Sequence, residues 1–369
     1  HKHLSIDALE GTASLQGSTR TLLFDLHSKK EHTATAAQLE VTGEAKDLWN
    51  DTGLQPKQAN IKLRASIKDF PLDVLQMEEV VAVVGPKMDA DMNGDIDQLH
   101  NGSFRGTVTT PRIHSAVAFD IQDGKMKLNE PLTAQYELTK EAGEVLLKGI
   151  NPLLASAARS EKPITLWIDN KDFNITLNPF SLKDMTIKTV KIDPGILTVK
   201  NKGFIAPLIS LLKIPTKGDE IPIWFTPLYI EVKHGTVTCN RTDALLANAF
   251  PIATWGKIDL LHDKIDMVLG ISGAALSRAF GITTLTPEYL VQIPVRGTVQ
   301  SPQFDTGWAT TKITGLKLQK NKSNATALIG GLLEVAATAG SKEKKPPAPT
   351  TYPFPWQAKT TNDTNDKRP

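Results

Sequence analysis

Apolar and polar residues alternate with a period of two through most of the chain up to Phe304, the pattern of strands with one face turned from water. Residues 1 to 70 carry short examples, such as Thr21-Leu22-Leu23-Phe24-Asp25-Leu26 and Asn60-Ile61-Lys62-Leu63-Arg64-Ala65, separated by turn formers. These predict half-buried antiparallel strands. Between Pro71 and Val84 the spacing of Leu72, Leu75, Val80, Val81 and Val84 predicts a short helix and a connection, with strands resuming at Gly102. From Phe104 to Leu128 the order is strand, turn, strand, and Asp123-Gly124 between Ile121 and Met126 is a hairpin signal. Leu132 to Leu138 alternates again, and Asn151-Pro152 supplies the N-cap and first position of a short helix running to Arg159.

The strongest β signal lies between Ile164 and Phe304. Ile164, Leu166 and Ile168 share one face, Phe173, Ile175 and Leu177 another, and Ile265, Met267, Leu269 and Ile271 repeat the pattern. From Ile223 to Val232 the apolar parity switches from odd to even across Pro227, which predicts a bulge or an edge position. Short helices are expected at Thr242 to Ala249 and Gly273 to Phe280, and a small-residue helix at Ala325 to Ala339. Residues 341 to 369, rich in Lys, Pro, Thr and Asn, are expected to be a disordered tail.

The reading is a mainly β protein. With 369 residues the chain has room for one large β architecture or two ordinary domains. Its 42 basic and 40 acidic residues are intermixed, so the basic stripe of a nucleic-acid-binding protein is missing. Cys239 is the only cysteine, which excludes an intrachain disulfide and a zinc site built on cysteines. The chain opens at His1 without a methionine, as expected of a processed or truncated chain that has lost a leader or a membrane anchor. Neither Phe204 to Leu212 nor Ala325 to Ala339 reaches the roughly 20 apolar residues of a spanning helix.

Candidate chemistry is sparse. Asp89, Asp91, Asn93 and Asp97, with Gly94 at the sixth position, match the start of a calcium loop, but His100 stands where a bidentate Glu is needed. A solvated Asp/Asn/Gly turn is the competing reading, and no metal is assigned. No His-Glu-x-x-His, Gly-x-Ser-x-Gly or phosphate-loop motif occurs, so neither an enzymatic activity nor a cofactor is expected. The seven Asn-x-Ser/Thr sequons, at Asn50, Asn101, Asn174, Asn240, Asn321, Asn324 and Asn362, matter only in a glycosylating compartment.

One unit recurs: Arg105-Gly106-Thr107-Val108-Thr109-Thr110-Pro111 and Arg296-Gly297-Thr298-Val299-Gln300-Ser301-Pro302. Glycine permits a bulge, Thr-Val continues a ladder, and the residue before proline is held extended. The unit is either a common β-turn sequence or a repeated β module. The second copy sits in Tyr289-Leu290-Val291-Gln292-Ile293-Pro294-Val295-Arg296-Gly297-Thr298 and on to Asp305. This passage resembles the C-terminal signature of AsmA-like proteins, an alternating strand ending in Pro-Val-Arg-Gly-Thr after a short helix, here Gly273 to Phe280. The resemblance covers about residues 100 to 305.

That resemblance implies a long twisted antiparallel sheet curled into an elongated groove, with a few short helices; a closed β-sandwich is the alternative. A strand and turn about every 14 residues would give roughly 20 strands and a groove on the order of 100 Å. It further implies a periplasmic protein, attached to the inner membrane in its full-length form by an anchor absent from this chain, with a role in lipid transport or outer-membrane maintenance. The partner would be a phospholipid or another acyl lipid. The residues expected to line the groove are Ile164, Leu166, Ile168, Phe225, Ile230, Val232, Met267, Leu269, Val291, Ile293 and Val295. Expected regions are an N-terminal β region at 1–100, the groove at 101–310, a short helical cap at 311–340 and the tail at 341–369. A structural or adhesive envelope protein with a self-filled core is the alternative function.

Overall fold

The structure is a computed structural model that describes residues 9–28, 38–72, 78–98, 101–145, 147–177, 181–320 and 345–357. The fold is mainly β, 54% strand against 16% helix, with an antiparallel 21-stranded sheet that is curled and not closed. In chain order the first elements are β1 (Leu9–Gln16), β2 (Thr21–Ser28), β3 (Gln38–Lys46), β4 (Trp49–Asn50), β5 (Gly53–Leu54), β6 (Asn60–Pro71) and α1 (Glu78–Val84). Then come β7 (Lys87–Asp97), β8 (Asn101–Thr109), β9 (Ile113–Gln122), β10 (Lys125–Leu128), β11 (Leu132–Tyr136), α2 (Lys140–Val145) and β12 (Ala157–Ser160). They are followed by β13 (Ile164–Ile168), β14 (Ile175–Thr176), β15 (Thr186–Asp193), β16 (Ile196–Lys200), α3 (Ile205–Leu211), β17 (Glu220–Phe225) and β18 (Leu228–Lys233). The last are β19 (Thr236–Leu246), β20 (Phe250–Asp259), β21 (Lys264–Ser272), α4 (Gly273–Phe280), β22 (Leu290–Gly297), β23 (Pro302–Phe304) and α5 (Thr306–Lys320).

Two compact units divide these elements: the first holds the residues up to Glu137 with Thr165–Val190, the second Leu138–Ile164 with the residues from Lys191 on. The boundary expected at residue 100 falls instead inside a meander, because β7 pairs with β8 across it. In the first unit β1, β2, β3, β6, β7, β8 and β9 pair each with the next, all antiparallel. β9 then pairs with both β10 and β11. The hairpin expected at Asp123-Gly124 forms, with φ of 50° and 73° at its two central residues, the left-handed region that a tight hairpin turn needs.

Strands were expected to resume only at Gly102, yet β7 already spans Lys87–Asp97. Its apolar residues, Met88, Ala90, Met92 and Ile96, alternate with carboxylates and Asn93, and so many Asp, Asn and Gly residues read as a turn when the pairing strands are not in view. The helix expected after Pro71 is α1, which starts at Glu78. The one expected from Asn151 is a single 3-10 turn, Pro152–Leu154, after which Ala157–Ser160 is a strand. Asn151 does cap it, accepting from Leu153 N–H at 3.0 Å.

In the second unit the apolar face of the sheet is sealed. Met267, Leu269, Ile271, Val291 and Ile293 have no exposed surface. Helix α4 packs against β20 and β21, and α3 against α5. The sequence expectation for α4 holds to the residue: Ser272 Oγ accepts from Ala275 N–H at 3.0 Å at its start, and Gly281, at φ 66°, closes it in the left-handed conformation. Phe204, just before α3, meets Phe304 edge-on at 5.3 Å. In α5 Lys312 is fully buried with its ammonium 4.8 Å from the Trp308 ring centre.

The parity switch at Pro227 marks the break between β17 and β18, both of which pair with the long strand β19. Thr226 in the break is buried; its Oγ1 donates to Asp243 O and accepts from Asp243 N–H. No helix forms at Thr242–Ala249: this stretch is the end of β19, a turn and the start of the next hairpin strand. Thr242, Asp243, Ala244 and Leu246 are buried, so the strand is covered on both faces and loses the alternation by which strands are recognised.

The carboxyl-terminal residues supply part of that cover. Within the expected tail, residues 345–357 are held in place: Arg241 Nη1 donates to Pro347 O at 2.9 Å and Thr350 Oγ1 donates to Arg241 O at 3.1 Å. Phe354 stacks on Trp356 at 5.0 Å, and Trp356 meets Trp224 of β17 at 6.4 Å. Arg241 in turn binds Asp243 through Nε and Nη2, at 2.7 to 3.1 Å. Burial pushes the Asp243 carboxyl up, and Arg241 pulls it part of the way back. The expected helix at Ala325–Ala339 lies outside the described residues, as does the rest of the tail.

The two copies of Arg-Gly-Thr-Val-x-x-Pro fold differently. Arg105–Thr109 lies within β8 and continues its ladder, whereas Gly297 ends β22 at φ 105° and the residues after it form a loop before Pro302 starts β23. Both arginines reach carboxylates, Arg105 near Glu130 at 3.7 Å and Arg296 bound to Asp266 at 2.6 Å.

Burial in the second unit makes one direct expectation. It pushes the Cys239 thiol up to about 12, and the thiol donates to Ile150 O at 3.0 Å. A disulfide-exchange reagent should therefore label no thiol in the native chain at neutral pH and one after denaturation; rapid labelling of the native protein would mean that this core is open.

Candidate functional site

The register of the first unit brings its apolar residues into rows that cross the strands. One row runs Leu15, Leu22, Ala45, Ile61, Ile96, Gly102, Ile121, Met126. The next runs Ala13, Phe24, Gly43, Leu63, Gly94, Phe104, Phe119, Leu128, and a third Gly11, Leu26, Val41, Ala65, Met92, Gly106, Val117. Every residue in the three rows is apolar or glycine. With strands about 4.8 Å apart and rows about 7 Å apart, they form a strip about 34 Å long and about 14 Å wide.

This strip is not covered. Among the described residues from 10 to 109 the only strand-borne apolar side chains that are buried are Ala45 and Ala90; the large ones, Leu22, Phe24, Leu26, Ile61, Leu63 and Phe104 among them, keep part of their surface in solvent. An uncovered strip of roughly 500 Å² lies in the range of the largest apolar patches that soluble proteins carry, and such patches mark binding surfaces. The opposite face of the same strands is charged and exposed, with Lys62, Arg64, Asp95 and Arg105. A depression of about 650 Å³ is bounded by those four residues, together with Glu44 and Ser103 and the neighbouring Gly43, Leu63, Gly94 and Phe104. Both charge signs occur in it, and Lys62 lies 3.9 Å from Asp95, so it favours no ion of one sign.

Glycine shapes the apolar strip. A Cβ on Gly102 would come within 2.7 Å of the Phe104 ring, one on Gly43 within 2.6 Å of Phe24, one on Gly11 within 2.7 Å of Leu26 and one on Gly106 within 2.7 Å of Met92 Sδ. Large side chains thus lie down over adjacent glycines, and Phe104 stacks on Phe119 at 5.2 Å. The result is a low apolar floor, and the glycines let the backbones approach closely where the sheet curls.

The residues expected to line a groove are placed elsewhere. Ile164, Phe225, Ile230, Val232, Met267, Leu269, Val291, Ile293 and Val295 are buried, and Leu166 and Ile168 are half-buried. Met267 faces Val295, and Leu269 faces Ile293, across adjacent strands; Val232 faces Val237. Their surface is taken up by one another and by the helices. The uncovered rows sit instead in strands for which the sequence reading named no site residue. The available signal was the alternation of β2, β6 and β7, at Leu22-Phe24-Leu26, Ile61-Leu63-Ala65 and Ala90-Met92-Gly94-Ile96.

Asp89, Asp91, Asn93 and Asp97 lie along β7, exposed on its polar face, in a straight strand and not in a loop or turn. Residues two apart in a strand are about 7 Å apart, too far for a chain of them to wrap one ion. Asp89 accepts from Asp69 N–H at 2.7 Å instead. Among the described residues no group of three or more His, Cys, Asp or Glu side chains could hold a metal ion; His100 lies outside them. Among the described residues the closest histidine–carboxylate pair, Asp259 with His262 Nδ1 at 2.7 Å, belongs to an exposed turn, where the hydrogen bond from His262 holds the carboxyl below its usual range.

No protein-family model, characterised protein or solved structure matches the chain.

The difference in cover between the two units is measurable. Leu269→Ala, in the sealed core, should cost about 2–5 kcal/mol in denaturant unfolding, while Leu63→Ala, on the open strip, should cost about 1 kcal/mol or less. Equal costs would mean that the strip is covered.

Proposed function

We propose that this chain is a non-catalytic acyl-lipid-binding protein whose binding surface is the apolar strip of the first unit. The observation that carries the reading is the uncovered, charge-free set of rows made by Phe24, Leu63, Phe104 and their neighbours. Acyl chains suit such a surface because they ask for no polar partner. About ten methylenes taken from water at about 0.8 kcal/mol each give about 8 kcal/mol, the micromolar range, and a chain left wet on one side gains about half of that. Binding would be passive: chains lie on the floor and headgroups stay in water. Weak attachment at many equivalent positions favours movement along the strip over capture at one point.

The resemblance of Tyr289 to Asp305 to AsmA-like proteins points the same way, toward a periplasmic protein tied to the inner membrane and acting in lipid transport or outer-membrane maintenance. No described helix is long and apolar enough to cross a membrane. The self-filled core of the second unit favours a second reading, a structural or adhesive envelope protein, for that part of the chain.

Organic extraction of the purified chain followed by mass spectrometry tests the first reading. Acyl lipid should be recovered from the wild type, and at least tenfold less from Leu63→Asp and Phe104→Asp, while Lys62→Glu on the opposite face should retain it. A chain that yields no lipid and binds no fluorescent fatty acid would leave only the structural reading.

A further inference from the structure

Residues 345–357, Lys-Pro-Pro-Ala-Pro-Thr-Thr-Tyr-Pro-Phe-Pro-Trp-Gln, carry five prolines and three aromatic rings, with Pro346 and Pro349 at Pro-x-x-Pro spacing. Proline has no backbone N–H, so such a stretch offers carbonyls and rings to whatever holds it. Its seat in the second unit answers both. Arg241 of β19 commits Nε and Nη2 to Asp243 at 2.7 to 3.1 Å, which holds the guanidinium in place, and its Nη1 donates to Pro347 O at 2.9 Å. The backbone C=O of the same arginine accepts from Thr350 Oγ1 at 3.1 Å. Pro347 and Thr350 are one polyproline turn apart, so a single residue grips the segment twice along one side. Further on, Trp356 meets Trp224 of β17 at 6.4 Å, and Phe354 contacts both Trp356 and Tyr352, with ring centres 5.0 and 5.5 Å away.

We infer that the second unit is a binding module for extended proline-rich segments bearing aromatic side chains, and that residues 345–357 are such a ligand bound in cis, which an incoming segment of the same chemistry displaces. A carbonyl donor fixed beside an aromatic wall is the arrangement by which grooves take proline-rich peptides. The groove and its occupant differ in burial. Arg241, Asp243, Ile252, Ser272 and Leu290 on the wall are buried, whereas every residue of 345–357 keeps part of its surface in solvent and lies in neither helix nor strand. A cavity of about 320 Å³ separates Ile252 and Leu290 from Phe354 and Trp356, room for a bulkier side chain than the segment presents. Prolines lock φ before binding and Asp243 locks Arg241, so neither side loses much freedom on association. A tethered ligand competes through its effective concentration, and the cis segment therefore sets the threshold for binding in trans.

The site belongs to the second unit and is independent of lipid binding on the first. Its probe is a fluorescein-labelled synthetic peptide of residues 345–357, titrated into the whole chain and followed by fluorescence anisotropy. The wild-type chain should bind it weakly, and the whole-chain variant Phe354→Ala/Trp356→Ala, whose own segment has lost two rings, at least about tenfold more tightly. A peptide carrying Trp356→Ala should bind that variant at least about tenfold more weakly than the unaltered peptide does. Equal binding of the peptide to the two chains, or binding to neither, overturns the inference. So does binding that ignores the change in the peptide. Buried Cys239 reports whether the variant keeps its core. A thiol that becomes reactive in the native variant would make the segment part of that core and not a ligand, which also overturns the inference.

Discussion

Antiparallel pairing in strict register is the interaction on which the rest depends. Because side chains alternate across a strand, matching Phe24 with Gly43, Leu63 with Gly94 and Phe104 with Phe119 places the apolar side chains of the three rows on one side and Lys62, Arg64, Asp95 and Arg105 on the other. A slip of one residue in the β3–β6 ladder would put Lys62 opposite Gly43 or Ala45, on the apolar face. The register therefore creates an apolar face, and the fate of that face separates the two units.

In the second unit the face is consumed. Helix α4 lies against β20 and β21, α5 buries Ala309, Ile313 and Leu316, and the residues from Lys345 to Gln357 pack against β17 and β19. Closing a strand on both sides brought Asp243 and Thr226 out of water, and each is satisfied there, the Asp243 carboxylate by Arg241 and the Asp243 backbone N–H and C=O by the Thr226 hydroxyl. Arg241 couples this buried pair to the carboxyl-terminal segment through Pro347 O, so one guanidinium joins β19 to a stretch of chain about a hundred residues away.

Among the described residues of the first unit no comparable layer lies over the rows. Glycines replace bulk: Phe24, Leu26, Met92 and Phe104 recline over Gly43, Gly11, Gly106 and Gly94 and cover part of one another's surface without sealing it. Such a floor is tolerable to a sheet held by backbone ladders, and its remaining exposed area is the surface from which a binding role is argued. The glycines also explain why the strands tolerate curling, since a Cβ at Gly11, Gly43 or Gly106 would strike the carbonyl of the neighbouring strand.

The sequence by itself determined the class of fold, the strands with clean alternation, the Asp123-Gly124 hairpin and the capped helix Gly273–Phe280, because these depend on neighbours a few residues away. It showed the break at Pro227 through the change of parity. It misread β7 as a turn and the end of β19 as a helix, since the composition of Lys87–Asp97 is that of a loop and Thr242–Leu246 is covered on both faces; pairing partners and cover are tertiary facts. The same reason governs the candidate site. Leu269 and Leu63 occupy strands of equal alternation, and no local signal tells which will meet a helix and which will meet water. Period two states that a face is apolar. Only the tertiary structure, by placing α4 and α5 over one sheet region and nothing described over the other, decided which face is core and which is surface.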